Sequence, residues 1–324
     1  MHDASRQPAP APDHIHTLSR HRVRASLSAE TMRFGMRMLL LKKRIRPSTS
    51  LATVRRQLKL VSWLVPRPPR GTKISAIDAG GVPAERIATP ASRPDRHILY
   101  LHGGAFLTGF PALYRDMTWR LAKFCRAQVT CVDYRLAPEH PFPAGLDDCV
   151  TAYRWLIASG ADPARIAVMG DSAGGGLVFA TLLRLRDEGV PLPAVAVAVS
   201  PWTDLALTGD SLRLNAEIDP LIPIEAAPRA VELYLAGADP RDPYASPIYG
   251  DQTGLPPSLI LVGGDDVLRD DAVRMAERMR AAGCDAEVEV WPRMWHVWHM
   301  LARILPEGRA AVARLTAFAD ARMG

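Results

Sequence analysis

The pentapeptide Gly170-Asp171-Ser172-Ala173-Gly174 constrains this 324-residue chain more than any other stretch, because of what flanks it. Before it stands the apolar run Arg165-Ile166-Ala167-Val168-Met169, and after it a helix-forming segment. That order is strand, sharp turn, helix. A serine at such a turn has a strained backbone and a hydroxyl that stands clear of the sheet. Gly170 and Gly174 leave out the side chains that would collide with strand and helix. The spacing predicts a nucleophile elbow.

Around it, from residue 72 onward, short strand signals alternate with longer helical ones. Strands are expected at Lys73–Asp78, Glu85–Thr89, His97–Leu101, Gln128–Val132, Arg165–Met169, Ala194–Ser200, Ser258–Val262 and Ala286–Trp291. Helices are expected at Arg115–Arg126, Leu146–Ser159, Gly175–Asp187, Asp271–Ala282 and Arg309–Ala321. Alternation of this kind implies an α/β domain with a mostly parallel sheet covered on both faces, its first two strands able to form an antiparallel edge. In an open sheet of that type, ligands bind beyond the carboxyl ends of the strands.

Residues 1–70 read differently. The first 16, rich in Pro, His and Ala without apolar periodicity, are expected to be mobile. Two amphipathic helices follow, one from about Ser28 to Lys43 and one carrying Leu51, Val54, Leu58, Val61 and Val65, with Ser48 or Ser50 as a cap and Pro66 as a stop. Packing on the main body is the expectation for both, ahead of a membrane-surface role. The stretch from Pro66 to Gly71 reads as a stiff linker and sets the boundary between an N-terminal helical segment, 1–70, and a domain over 71–324.

Charge follows the same division. Residues 1–70 carry 15 Lys and Arg against three Asp and Glu, or +12, whereas 71–324 carry −6, for a total of +6. The excess belongs to one segment and comes with no nucleic-acid-binding module, so nucleic acid is not an expected partner. Cys125, Cys131, Cys149 and Cys284 lack metal-binding spacing and fall inside helix or strand signals, which predicts free thiols and neither zinc nor disulfides. No signal peptide is legible, and no window reaches the roughly 18–20 apolar residues that span a bilayer. A cytoplasmic location is expected.

Polar residues follow strand ends in the order Ser172, then Asp265 or Asp266, then His296 or His299. A serine hydroxyl is a poor nucleophile at neutral pH and needs an imidazole to take its proton, and the imidazole needs a carboxylate to fix its tautomer. Ser, acid, His is the order of one particular serine-hydrolase fold. Upstream, His102-Gly103-Gly104-Ala105 follows the apolar run Ile98-Leu99-Tyr100-Leu101. Its glycines let backbone N–H groups approach a developing oxyanion, so Gly103 and Gly104 are candidate donors together with Ala173.

These residues resemble the bacterial hormone-sensitive-lipase-like esterases of the α/β-hydrolase superfamily. The matching segments are His102 to Phe106, the long run Asp133 to Ala144, Gly170 to Gly175, Ser200 to Asp204, and Asp266 to Asp270. They spread over roughly 72–324. The resemblance implies an α/β-hydrolase fold with a helical cap, formed by residues 1–70 and an insertion at about 205–235. It implies a serine carboxylesterase acting on short- to medium-chain esters through an acyl-enzyme, without metal or organic cofactor, and frequently a homodimer.

Carried over by position, Ser172 is the nucleophile and Gly103, Gly104 and Ala173 form the oxyanion hole. The D-x-L-x-D pattern selects Asp266 over Asp265, and position after the last strand selects His296 over His299. His102 is expected to orient its loop, and Asp133, Arg135, Glu139 and Asp204 to hold loops beneath the site. Two departures stand out: Ala105 replaces a third glycine, and Trp295, Val297 and Trp298 make the surroundings of His296 unusually aromatic, which bears on substrate size. Lactone or acyl-amide hydrolysis by the same three residues is the alternative, ahead of a non-catalytic small-molecule receptor.

Overall fold

Runs rich in Val, Ile, Leu and Ala become the middle of a sheet, because strands covered by helices on both faces have no solvent side to make polar. The computed structural model describes residues 25–38 and 50–324. Its strands are β1 (Lys73–Asp78), β2 (Pro83–Ala88), β3 (His97–Leu101), β4 (Gln128–Val132), β5 (Ile166–Asp171), β6 (Val195–Val199), β7 (Ser258–Gly263) and β8 (Ala286–Trp291). They form one sheet in the order β1-β2-β4-β3-β5-β6-β7-β8. β1 and β2 are antiparallel to their neighbours, and every pair from β4 to β8 is parallel. β5, which leads into Ser172, lies between β3 and β6, and all six of its residues are buried.

Alternate side chains of the central strands feed two cores. Leu99, Leu101, Val168, Ala196 and Ile260 pack under α4 (Ala144–Ala158), α5 (Ala173–Asp187) and α8 (Arg269–Ala281). Ile98, Tyr100, Ala167, Met169, Val197 and Leu259 pack under α3 (Arg115–Phe124) and α9 (Pro306–Asp320). A fully buried Leu or Ile contributes about 1.5–3 kcal/mol by leaving water, so the two layers, rather than surface ion pairs, carry the stability.

The expected strands and helices are present, with differences at their ends. The second strand begins at Pro83 and not Glu85, since the first residue of a strand needs no ladder donor; its carbonyl accepts from Asp133 N–H at 2.9 Å. α1 spans Leu27–Met38, and the remainder of that expected helix, like residues 1–16, lies outside the described residues.

α2 (Leu51–Val61) is capped by Ser50, whose side chain accepts from Thr53 N–H. No residue of α2 is fully buried; Leu51 packs against the first core, and Arg55 supplies polar ties to the body. Arg55 reaches the carbonyls of Leu107 and Ala137 and the carboxylate of Glu139. The four cysteines are unpaired.

Between β6 and β7 the chain makes α6 (Ser211–Leu214) and α7 (Ala227–Leu235). Tyr234 of α7 stacks on Phe106 with ring centres 3.9 Å apart and meets Phe142 edge-on. This segment therefore lies over the loop that follows β3. Among the described residues no helix is long and apolar enough to cross a membrane.

Candidate active site

β5 ends at Asp171 and α5 starts at Ala173, so Ser172 alone makes the turn, at φ 54° and ψ −125°. A residue held there costs on the order of 1–3 kcal/mol and persists only where its surroundings enforce it. Here a Cβ on Gly174 would overlap the Leu101 carbonyl and stand 2.5 Å from that of His102, so only glycine lets α5 start flush against β3. Gly174→Ala is expected to destabilise the fold by about 2–3 kcal/mol or more, lowering Tm by about 5 °C or more. A thermal melt unchanged by this substitution would contradict the packing argument.

Ser172 Oγ lies 2.9 Å from His296 Nε2. On the other side of the ring, Nδ1 lies 3.1 and 3.2 Å from the two carboxylate oxygens of Asp266. Asp266 follows β7 and His296 follows β8, so both come from loops at the carboxyl end of the sheet. Both are buried. Burial alone pulls the His296 pKa down, but the Asp266 carboxylate, joined by Asp219 and Asp171, outweighs it and leaves the imidazole above its ordinary value.

The two alternatives lie outside this line of contacts. Asp265 is ion-paired with Arg33. His299 sits in the turn Trp298–Leu301, and burial takes its pKa down to about 3. Trp295 and Trp298 are buried in the core with Leu305 and Leu315, where they brace the histidine's loop from behind.

The loop after β3 crosses beside Ser172. Gly104 has φ 127°, and Ala105 and Phe106 follow at 55° and 62°. The Gly104 carbonyl accepts from Leu107 N–H, Thr108 N–H and Thr108 Oγ1, which fixes its peptide plane. Gly103 lies against the Asp171 side chain, whose carboxylate accepts from Tyr100 OH at 2.7 Å. Burial nevertheless raises Asp171 to about 6. Ala173 N–H opens α5, where an amide has no intrahelical acceptor. His102 lies stacked between Tyr134 and Tyr114, with Nδ1 2.8 Å from the Gly103 carbonyl.

Residues 98–300 match the family described as alpha/beta hydrolase fold. An acetyl-hydrolase of Streptomyces hygroscopicus is 47% identical over 71% of this chain and 77% of its own length. An esterase of Acinetobacter venetianus is 36% identical over 86% and 93%. The crystal structure of an esterase from the bacterial hormone-sensitive lipase family superposes with a TM-score of 0.87 at 43% identity, over 93% of this chain and all of that one. The chain belongs to the bacterial hormone-sensitive-lipase-like esterases of the α/β-hydrolase family.

In this esterase several residues of the site carry no motif that sequence reasoning could read. Arg33 of α1 is buried and bonds both the Asp265 carboxylate and the Arg293 carbonyl, 5.8 Å from the centre of the Trp295 ring. Glu30 pairs with Arg293, and Ser26 bonds Glu307 through its N–H and hydroxyl. α1 is thereby fastened to the loops bearing Asp266 and His296. Asn215 Nδ2 donates to the carbonyls of Asp266 and Gly264, and Asp219 accepts from His296 N–H. The only sequence signals were lone polar residues in apolar surroundings.

Of the expected loop-holders, Arg135 pairs with Asp148 and Glu139 with Arg55. Asp204 accepts from Thr208, Tyr249 and Arg274. Asp133 enters its loop through the backbone bond to Pro83 already described. Among the described residues no group of His, Cys, Asp or Glu is arranged to hold a metal ion.

Proposed function

We propose that this esterase hydrolyses short- to medium-chain carboxylic esters through an acyl-enzyme on Ser172. His296 Nε2 takes the Oγ proton as Oγ attacks the ester carbonyl, forming a C–O bond while the carbonyl pair moves to oxygen. The N–H groups of Gly103, Gly104 and Ala173 receive that oxyanion. Collapse expels the alkoxide, which takes the proton from the imidazolium. Water then repeats the sequence on the acyl-enzyme, releasing the acid and restoring Ser172. Asp266 fixes the Nδ1–H tautomer throughout.

The single observation that carries this reading is the unbroken line from Ser172 Oγ through His296 to Asp266. A short acyl group is supported by the acetyl-hydrolase relative. Residues 1–70 and about 205–235 serve in this proposal as the cover that shapes the acyl and alcohol pockets and excludes water. The stacking of Tyr234 on Phe106 and the anchoring of α1 support that role.

The test is a series of p-nitrophenyl esters measured across pH. Acetate and butyrate are expected to be hydrolysed faster than laurate. His296 must be neutral to accept the serine proton, and its pKa is raised, so kcat/KM is expected to fall on acidification with a midpoint above the ordinary value of 6.5. Activity is retained above that midpoint and lost below it. A flat profile between pH 5 and about pH 8 excludes a histidine base in this role.

A further inference from the structure

One buried carboxylate of the site takes no part in the proton relay. Asp219 follows α6 and is 1% exposed. Its Oδ1 accepts from the N–H groups of Leu221, at 2.8 Å, and Ile222, at 3.3 Å. Its Oδ2 accepts from His296 N–H at 3.2 Å and Val267 N–H at 3.4 Å. Two donors thus come from its own segment, one from the residue after Asp266, and one is the amide of the histidine itself. Only a carboxylate offers acceptors on both sides, since an asparagine turns an NH2 toward one donor pair.

No Lys or Arg among the described residues pairs with Asp219, and a buried charge without a counter-ion is costly. Loop packing alone has cheaper solutions. What a charge does here, and a neutral group does not, is act on the imidazole next to it. The groups facing His296 are Asp266 from the turn after β7, Asp219 from the segment after α6, Asp171 from the end of β5, and His299 from the following turn. His299 is neutral near pH 7, so the local field is set by the carboxylates. Burial, then repulsion from Asp266, raises Asp219 to about 6, and it remains largely ionised at neutral pH.

We propose that Asp219 is a positioning residue for the base: it fastens the His296 backbone to the Asp266 turn and supplies a second negative charge that favours the imidazolium formed when Ser172 attacks. This rests on the mechanism given above for Ser172, His296 and Asp266. It also gives the segment between β6 and β7 a part in the chemistry, through a backbone amide and a charge, besides its place over the site.

The test is the pH profile of kcat/KM for p-nitrophenyl acetate with wild type, Asp219→Asn and Asp219→Glu, using Asp219→Ser if the amide variant does not fold. Removal of the charge is expected to move the acid midpoint down by about 0.5–1 pH unit and to lower kcat by about tenfold, with KM changed less than about threefold. Asp219→Glu is expected to recover more than half of the midpoint shift, whatever its kcat. Loss of activity equal at all pH values, with the wild-type midpoint retained in Asn or Ser, overturns the electrostatic role. So does a shift in Glu as large as in Asn. A wild type with no acid limb removes the underlying mechanism too, and so separates the two failures.

Discussion

Ser172→Ala is expected to lower kcat for p-nitrophenyl butyrate by about 10⁵-fold or more, while its Tm stays within a few degrees of wild type. The hydroxyl is one atom of a half-buried side chain, so its loss opens almost no cavity, and alanine inherits the same positive φ without added strain. What disappears is the oxygen 2.9 Å from His296 Nε2. Nucleophile, base and acid act as one unit, so removing the first forfeits nearly the whole contribution of all three. Amide donors and substrate binding leave a residue of about 10³–10⁴ over the uncatalysed reaction. Steady-state kinetics measure the loss, and a fluorophosphonate should label Ser172 in wild type and nothing in the variant. More than about one-hundredth of wild-type kcat surviving in a homogeneous preparation would assign the nucleophile elsewhere.

Gly104→Ala is expected to reduce kcat by about 10²–10³-fold with a much smaller change in KM. At φ 127° a side chain is strained wherever it points, and here its Cβ would overlap the Thr108 carbonyl oxygen and stand 2.7 Å from the carbonyl carbon. Thr108 cannot simply withdraw, because its own N–H and hydroxyl hold the Gly104 carbonyl. Relief comes by rotating the peptides on either side of residue 104, which moves the amide proposed to meet the oxyanion. An interaction made only in the transition state is then weakened, and this is read as lost kcat rather than raised KM. A kcat within about threefold of wild type would remove Gly104 from the oxyanion site.

Both sites were legible in the sequence because their chemistry demands a local pattern. A serine on a one-residue turn needs glycines around it, and an amide facing an oxyanion needs a glycine loop after a strand. The α/β alternation was legible for the same reason, since each central strand is a short apolar run. The choice between Asp265 and Asp266 shows the limit. Adjacent aspartates have the same composition and near-identical spacing, and only the fold sends one to His296 and the other to Arg33. Asp219, Asn215 and Arg33 were not legible as parts of the site. Their roles depend on groups 48 or more residues away, as in the bond from Val267 N–H to Asp219, and no local spacing encodes such contacts.

The anchoring of α1 also bears on how the chain is made. Its partners are Asp265, Arg293 and Glu307, between 232 and 281 residues downstream. A protein emerging from the ribosome amino end first at about 5–20 residues per second leaves α1 without its full set of partners until residue 307 is out. Through that interval Arg33 lacks the Asp265 carboxylate and the Arg293 carbonyl that hold it, and closing so long a loop comes late in folding. The two loops that deliver the acid and the base are braced by a helix that precedes both by more than 200 residues. Bracing of the hydrolytic centre is thereby tied to synthesis through Glu307, and a nascent chain stalled before that residue lacks the carboxylate that Ser26 holds.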